Sequence, residues 1–205
     1  MAKSKELVPV NKFDNLLKEA NAYSLSDLIP AHFKGKTANC IIALELSRNL
    51  NLPFLTVVNG IDVIQGKPSF KSTFLASLVN KSGLFKNSIF IEYSGEGDSL
   101  VATASAERID GQKCVQSVSM AMAKAEGWAQ RNPKYRSMPQ LMLGYRAISF
   151  FVKLFCPQVT MGLASTEEMI DIEHSQQQQQ QQPIVIDENN KTSAEQIKNL
   201  IGEVL

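Results

Sequence analysis

The sequence predicts an α+β fold in which a β-hairpin and a three-stranded meander pack with helices. Three observations carry that reading. Two β-prone runs, residues 54–58 and 61–65, flank Asn59-Gly60, a pair suited to the tight turn of a hairpin. Three more β-prone runs, residues 87–94, 99–109 and 112–119, follow one another with only GEGD and DG turns between them. Helical patterns lie before, between and after these strands but do not alternate with them, which excludes a doubly wound sheet.

Taken in order, Phe13, Leu16, Leu17 and Ala20 mark a short amphipathic helix, and a loop over 24–36 follows it. Thr37 caps a second helix that turns Ile41, Ile42, Leu46 and Leu50 inward. After the hairpin comes GKPS at 66–69. A helix over about 70–82 then points Phe74, Leu75 and Leu78 at the core. The meander leads into a short helix, MAMAKAEG.

A longer helix begins at Pro139, whose missing N–H costs nothing in a first turn, with Ser137 as its cap. Leu141, Tyr145, Ile148, Val152 and Phe155 recur at steps of three and four, so they form its buried face. Arg146, Ser149 and Lys153 form a neighbouring stripe, with the two cations roughly 10 Å apart along the axis. Gly144, mid-helix, costs about 1 kcal/mol relative to alanine, so another element or a ligand is expected to approach the backbone there. Pro157 ends the helix. Ser165 and Glu168 fit a capping box that starts another helix over 165–174.

From Glu167 onward there are eight acids against two lysines, and Gln176 to Gln182 are seven consecutive glutamines. The expected organisation is a globular domain over 1–174, a glutamine-rich acidic linker over 175–191, and a short amphipathic helix over 192–205. Ile197, Leu200, Ile201, Val204 and Leu205 lie on one side of that last helix, which either docks on the body or on a partner or is a frayed tail.

The chain of 205 residues is 44% hydrophobic and 20% charged, ordinary for one globular domain with a tail. No apolar run approaches the ~20 residues of a membrane span. The basic N-terminus, MAKSKELVPV, lacks the apolar core of a signal peptide, so a cytoplasmic protein with no membrane partner is expected. Cys40, Cys114 and Cys156 are too few and too far apart for a disulfide framework or a zinc site, and read as buried thiols.

Catalytic motifs are near misses. Gly35-Lys36-Thr37 ends like a phosphate-binding loop, but Pro30 stands where its first glycine belongs. Between Gly60 and Lys67 the glycine spacing is wrong, and Pro68 replaces the magnesium-binding hydroxyl. His32 and His174 have no ligand partners at metal spacing. Asp62, Glu92, Glu96 and Asp98 fall in or near turns, where a two-metal nuclease site is conceivable but solvated acids are common. Neither a catalytic site nor a cofactor is expected.

The charge pattern is more informative. Net charge is only +1, yet residues 127–166 contain no Asp or Glu and carry Arg131, Lys134, Arg136, Arg146 and Lys153. Trp128, Tyr135, Tyr145, Phe150, Phe151 and Phe155 are interleaved with them. Cations that track a backbone, with rings that stack on bases, are what single-stranded nucleic acid requires.

Residues 28–85, followed by GWAQRNPKYRSMPQLMLGYRAISFFVKLFCPQVTMGLASTEEMID, resemble the RecT family of phage recombinases. The similarity covers about residues 25–173. Its most specific pieces are GKPS, the MPxxMLxYRA core at Met138 to Ala147, and the ending from Pro157 to Asp171. The resemblance implies an ATP-independent single-strand annealing protein that assembles into homo-oligomeric rings or helical filaments. Its partners would be single-stranded DNA, the annealed duplex intermediate, and a phage exonuclease or host single-strand binding protein. Arg146 and Lys153 fall where the related Red beta annealing protein also has cations, and Tyr135 falls where it has tryptophan. Gln140 departs from a lysine there.

On this reading Lys134, Arg136, Arg146 and Lys153 line a groove, with Arg131 beside them. Lys67 and Lys71 are further phosphate contacts, and Tyr135 or Trp128 stacks on bases. Joint replacement of Arg146 and Lys153 by alanine is then expected to abolish binding while sparing the fold. Rival readings are a sequence-tolerant RNA-binding module, a metal-dependent nuclease and a structural oligomer.

Overall fold

Small side chains at alternate positions explain the middle of the molecule. In the computed structural model, which describes residues 12–181 (side chains to His174), β4 spans Val101–Glu107 and buries Ala102, Ala104 and Ala106 on one face. It lies between β3 (Phe90–Ser94) and β5 (Lys113–Ser119), antiparallel to both, with Ala102 opposite Tyr93 and Val118. This is the expected meander. The alanine face admits the long helix α8 (Pro139–Phe155), which packs on β4 and β5 and buries Leu143, Ala147, Phe151 and Val152. The mid-helix glycine has the anticipated cause: a Cβ on Gly144 would lie 2.6 Å from the Tyr93 hydroxyl.

The chain reaches this centre through α1 (Lys12–Ser24), α2 (Thr37–Leu50), α3 (Phe54–Gly60), β1 (Ile61–Ile64), β2 (Lys67–Phe70) and α4 (Ser72–Lys81). Between the meander and α8 lie three short helices: α5 (Met120–Ala125), α6 (Trp128–Arg131) and α7 (Lys134–Ser137). Then α9 runs Thr166–Gln181. The architecture is α+β, with a two-stranded and a three-stranded antiparallel sheet among the described residues.

Several local expectations are corrected. The hairpin is displaced: residues 54–60 are helical, because Phe54, Val57 and Val58 bury one face at helical spacing. The strands β1 and β2 turn instead at Gln65-Gly66, both left-handed at φ 50° and 74°, which is what a two-residue hairpin turn demands. In α2 the fully buried face is Cys40, Ala43, Leu44 and Ser47, with Ile41, Leu46 and Leu50 packed against the core as expected, while Ile42 is 59% exposed and Thr37 is the first helical residue, not a side-chain cap. The small residues let α2 lie close against α1, where Ala20 is fully buried.

In α8, Ile148 and Val152 are buried as expected, but Leu141 is exposed and Arg146 and Ser149 are interior. Pro139 holds the first helical position, and no side chain, Ser137 included, caps it.

The capping box forms: Ser165 N–H donates to Glu168 Oε2 at 3.0 Å, and Glu168 N–H to Ser165 Oγ at 3.3 Å. The chain divides after Asp171. In the second unit, from Ile172, α9 continues to Gln181, so the first glutamines of the tract extend a helix rather than a linker. The rest of the linker and the expected 192–205 helix lie outside the described residues. Cys40, Cys114 and Cys156 are buried free thiols. Among the described residues no single helix is long and apolar enough to cross a membrane.

Candidate nucleic-acid interface

The three most distinctive sequence pieces meet at the start of α9. The hairpin arrives first. Phe70 N–H donates to Ala164 O at 2.9 Å, bringing β2 beside residues 164–166. Thr166 Oγ1 donates to Asp62 Oδ2 at 3.0 Å and lies 3.4 Å from Ser69 Oγ. From α4, Ser72 Oγ donates to Glu167 Oε2 at 2.7 Å and lies 3.0 Å from Ser149 Oγ on α8.

The cations of α8 complete the junction. Arg146 is 4% exposed. Its Nη1 lies 2.6 Å from Asp171 Oδ2, its Nε donates to the Tyr135 hydroxyl at 3.1 Å, and its Nη2 donates to Glu167 O at 3.3 Å. Its guanidinium carbon stands 4.2 Å from the Trp128 ring centroid. Burial disfavours this charge. Asp171 and Tyr135 outweigh that and hold the guanidinium pKa above its ordinary value. Burial raises the Tyr135 pKa against the opposing pull of Arg146, so the phenol stays protonated. Arg131 Nη2 lies 3.7 Å from Asp171 Oδ1 and donates to Glu126 O at 2.7 Å. Lys153 Nζ lies 2.6 Å from Glu168 Oε1.

This placement sorts the expected interface. Arg146, Trp128 and Tyr135 are interior, so neither ring is a platform for bases and Arg146 is not a groove cation. Arg131 is largely covered. Lys153 is half exposed but paired, and Lys71 lies 3.5 Å from Asp62 Oδ1. Exposed and without a carboxylate partner among the described residues are Lys134, Arg136 and Lys67, and Gln140 is exposed in the first turn of α8. Gln140 and its neighbours over 137–141 line an open cleft of about 520 Å³ together with Leu100 and the Gly95–Gly97 turn.

Sequence reasoning missed Glu167, Glu168 and Asp171 as partners of the basic band. Their pattern was visible: Glu167 and Asp171 are four apart, and Glu168 and Asp171 three apart, so they share one side of a helix. Asp62 and Asp98, two of the turn acids, are engaged with Lys71 and Lys124. Among the described residues no group of three or more His, Cys, Asp or Glu stands close enough to hold a metal ion. No family model, no curated protein and no solved structure matches the chain.

Proposed function

We propose that the chain is an ATP-independent protein that binds single-stranded DNA and anneals it to a complement in phage homologous recombination, working as a homo-oligomer. The observation that carries the reading is α7. Lys134 and Arg136 flank the buried Tyr135, both exposed and unpaired among the described residues, with Gln140 one turn further on. The RecT-like motifs support it independently of charge.

Two strands repel, so the protein's task is electrostatic. Lys134 and Arg136 neutralise phosphates and release counterions, with Lys67 and the half-exposed Lys153 as further contacts. Gripping the backbone leaves bases open to a second strand, and Watson–Crick pairing then drives the reaction without nucleotide fuel. Side-by-side protomers on one strand turn weak contacts into tight ones.

The test is binding of oligo-dT across a salt series, with annealing of complementary oligonucleotides in EDTA and without ATP. Replacing Lys134 and Arg136 by alanine lowers the slope of log K against log salt by about 1.4, two contacts at ~0.7 each. Unchanged binding by that variant, salt-insensitive binding, or a preference for RNA would overturn the reading.

A further inference from the structure

The segment that displays Lys134 and Arg136 cannot hold its own shape. α7 is four residues long, and one helical turn fixes several dihedral angles for few hydrogen bonds, so it does not persist alone. Of those four residues only Tyr135 is buried, at 2% exposed. Its hydroxyl is the acceptor for Arg146 Nε. The other hydrogen bonds of α7 are local, from Lys134 N–H to the Asn132 side chain and between backbone groups of residues 132–138, so what ties α7 to the body is the Tyr135 ring and its hydroxyl's bond to Arg146.

Arg146 suits this task and no other on the surface. All three of its side-chain nitrogens are engaged, by Tyr135, Asp171 and the Glu167 carbonyl, and Trp128 covers a face of its guanidinium plane. Arg131, in the preceding α6, reaches the same Asp171. One carboxylate thus ties α6, α8 and the start of α9 together, and α7 is strung between α6 and α8.

We infer that Arg146 is a positioning residue for nucleic-acid binding: through Tyr135 it holds α7 so that Lys134 and Arg136 face the phosphates, and it touches no nucleic acid itself. The inference rests on the proposed function and deepens it.

The sign of one substitution separates this from its rival, an arginine that grips phosphate once Asp171 lets go. Asp171→Asn removes a negative charge. Were Arg146 a masked phosphate contact, the variant would bind oligo-dT more tightly. As a positioning residue, Arg146 loses its orientation, and binding weakens roughly three- to tenfold, the scale of one ordinary hydrogen bond. Tyr135→Phe, which removes only the hydroxyl, weakens binding in the same way and leaves every charge in place.

Amide hydrogen exchange without DNA supplies the second readout: residues 134–138 exchange faster in both variants. Far-ultraviolet circular dichroism, which averages over the whole backbone, checks that the remainder stays folded. Tighter binding by Asp171→Asn, or wild-type binding by Tyr135→Phe, overturns the inference while the proposed function stands. Failure of the unmodified chain to bind oligo-dT at low salt removes both, and is seen before any variant is made.

Discussion

Gly60→Ala is the sharpest probe of how the hairpin is seated. Gly60 closes α3 as the chain turns into β1, and its backbone lies outside the left-handed region, so alanine is not barred by conformation. Space is what alanine lacks. Its Cβ would lie 2.5 and 2.6 Å from Cδ2 and Cδ1 of Phe74, and closer still to Cγ. Carbons at rest sit about 3.5–4.0 Å apart. Phe74 is 6% exposed and leans on the fully buried Phe70 ring, 5.5 Å between centroids, so it can yield only toward the shallow cleft it lines with Gly60, giving up packing as it does. Overpacking of this kind costs about 1–3 kcal/mol. Alanine returns part of about 1 kcal/mol in helix propensity, less at a helix end than in its interior.

The expected net loss is about 1–2 kcal/mol, a fall in Tm of roughly 2–8 °C for a chain of this size. Urea titration of the full chain, followed by Trp128 emission, measures it. Phe74→Leu in the same background makes room, so the double variant should lose less than the sum of the singles. Strict additivity, or a Gly60→Ala protein as stable as its parent, would show that the Phe74 ring does not cover Gly60.

Gly144→Ala gives a contrasting result despite a similar clash. The obstructing atom is the tip of Tyr93, a side chain 43% exposed and free to tilt, so stability stays within about 1 kcal/mol of the parent in the same titration. Arg146→Ala takes the shorter ion pair from Asp171 and empties the space between Tyr135 and Trp128, and costs about 3–5 kcal/mol by urea denaturation. Lys153→Ala, at a half-exposed pair, costs about 0–1 kcal/mol, so the two cations of the former stripe separate in stability. Burial raises the pKa of all three thiols, that of Cys156 to about 11, so a thiol reagent at pH 8 labels none until urea is added.

What could be read from the chain was whatever local pattern decides. The meander was legible because glycine turns and alternating small residues specify it without help from elsewhere. The inward face of α4 and the Ser165–Glu168 box are local in the same sense. What could not be read depended on partners distant in sequence. Val57 and Val58 favour a strand in isolation, but the core rewards a helix there, and the turn moved to Gln65-Gly66. In α2, Cys40 and Ala43 face inward because α1 needs a close surface, a demand that hydrophobicity alone does not express. The candidate site suffered most. Three of its ten residues, Arg146, Trp128 and Tyr135, are buried.

The reason is that a band free of acids in sequence need not be free of them in space. The carboxylates begin one residue after it ends, and the first turns of α9 set Glu168 and Asp171 onto Lys153 and Arg146. For a phosphate to recruit Arg146, the guanidinium would have to leave Tyr135 and Trp128 and abandon a carboxylate that is itself only 22% exposed. Breaking such a buried pair costs about 3–5 kcal/mol, more than one phosphate contact returns. Lys134 and Arg136 give up only hydration and counterions, and counterion release favours binding. Solvent-facing cations with no carboxylate at hand are therefore the ones a polyanion can claim, and buried ones serve by holding them in place.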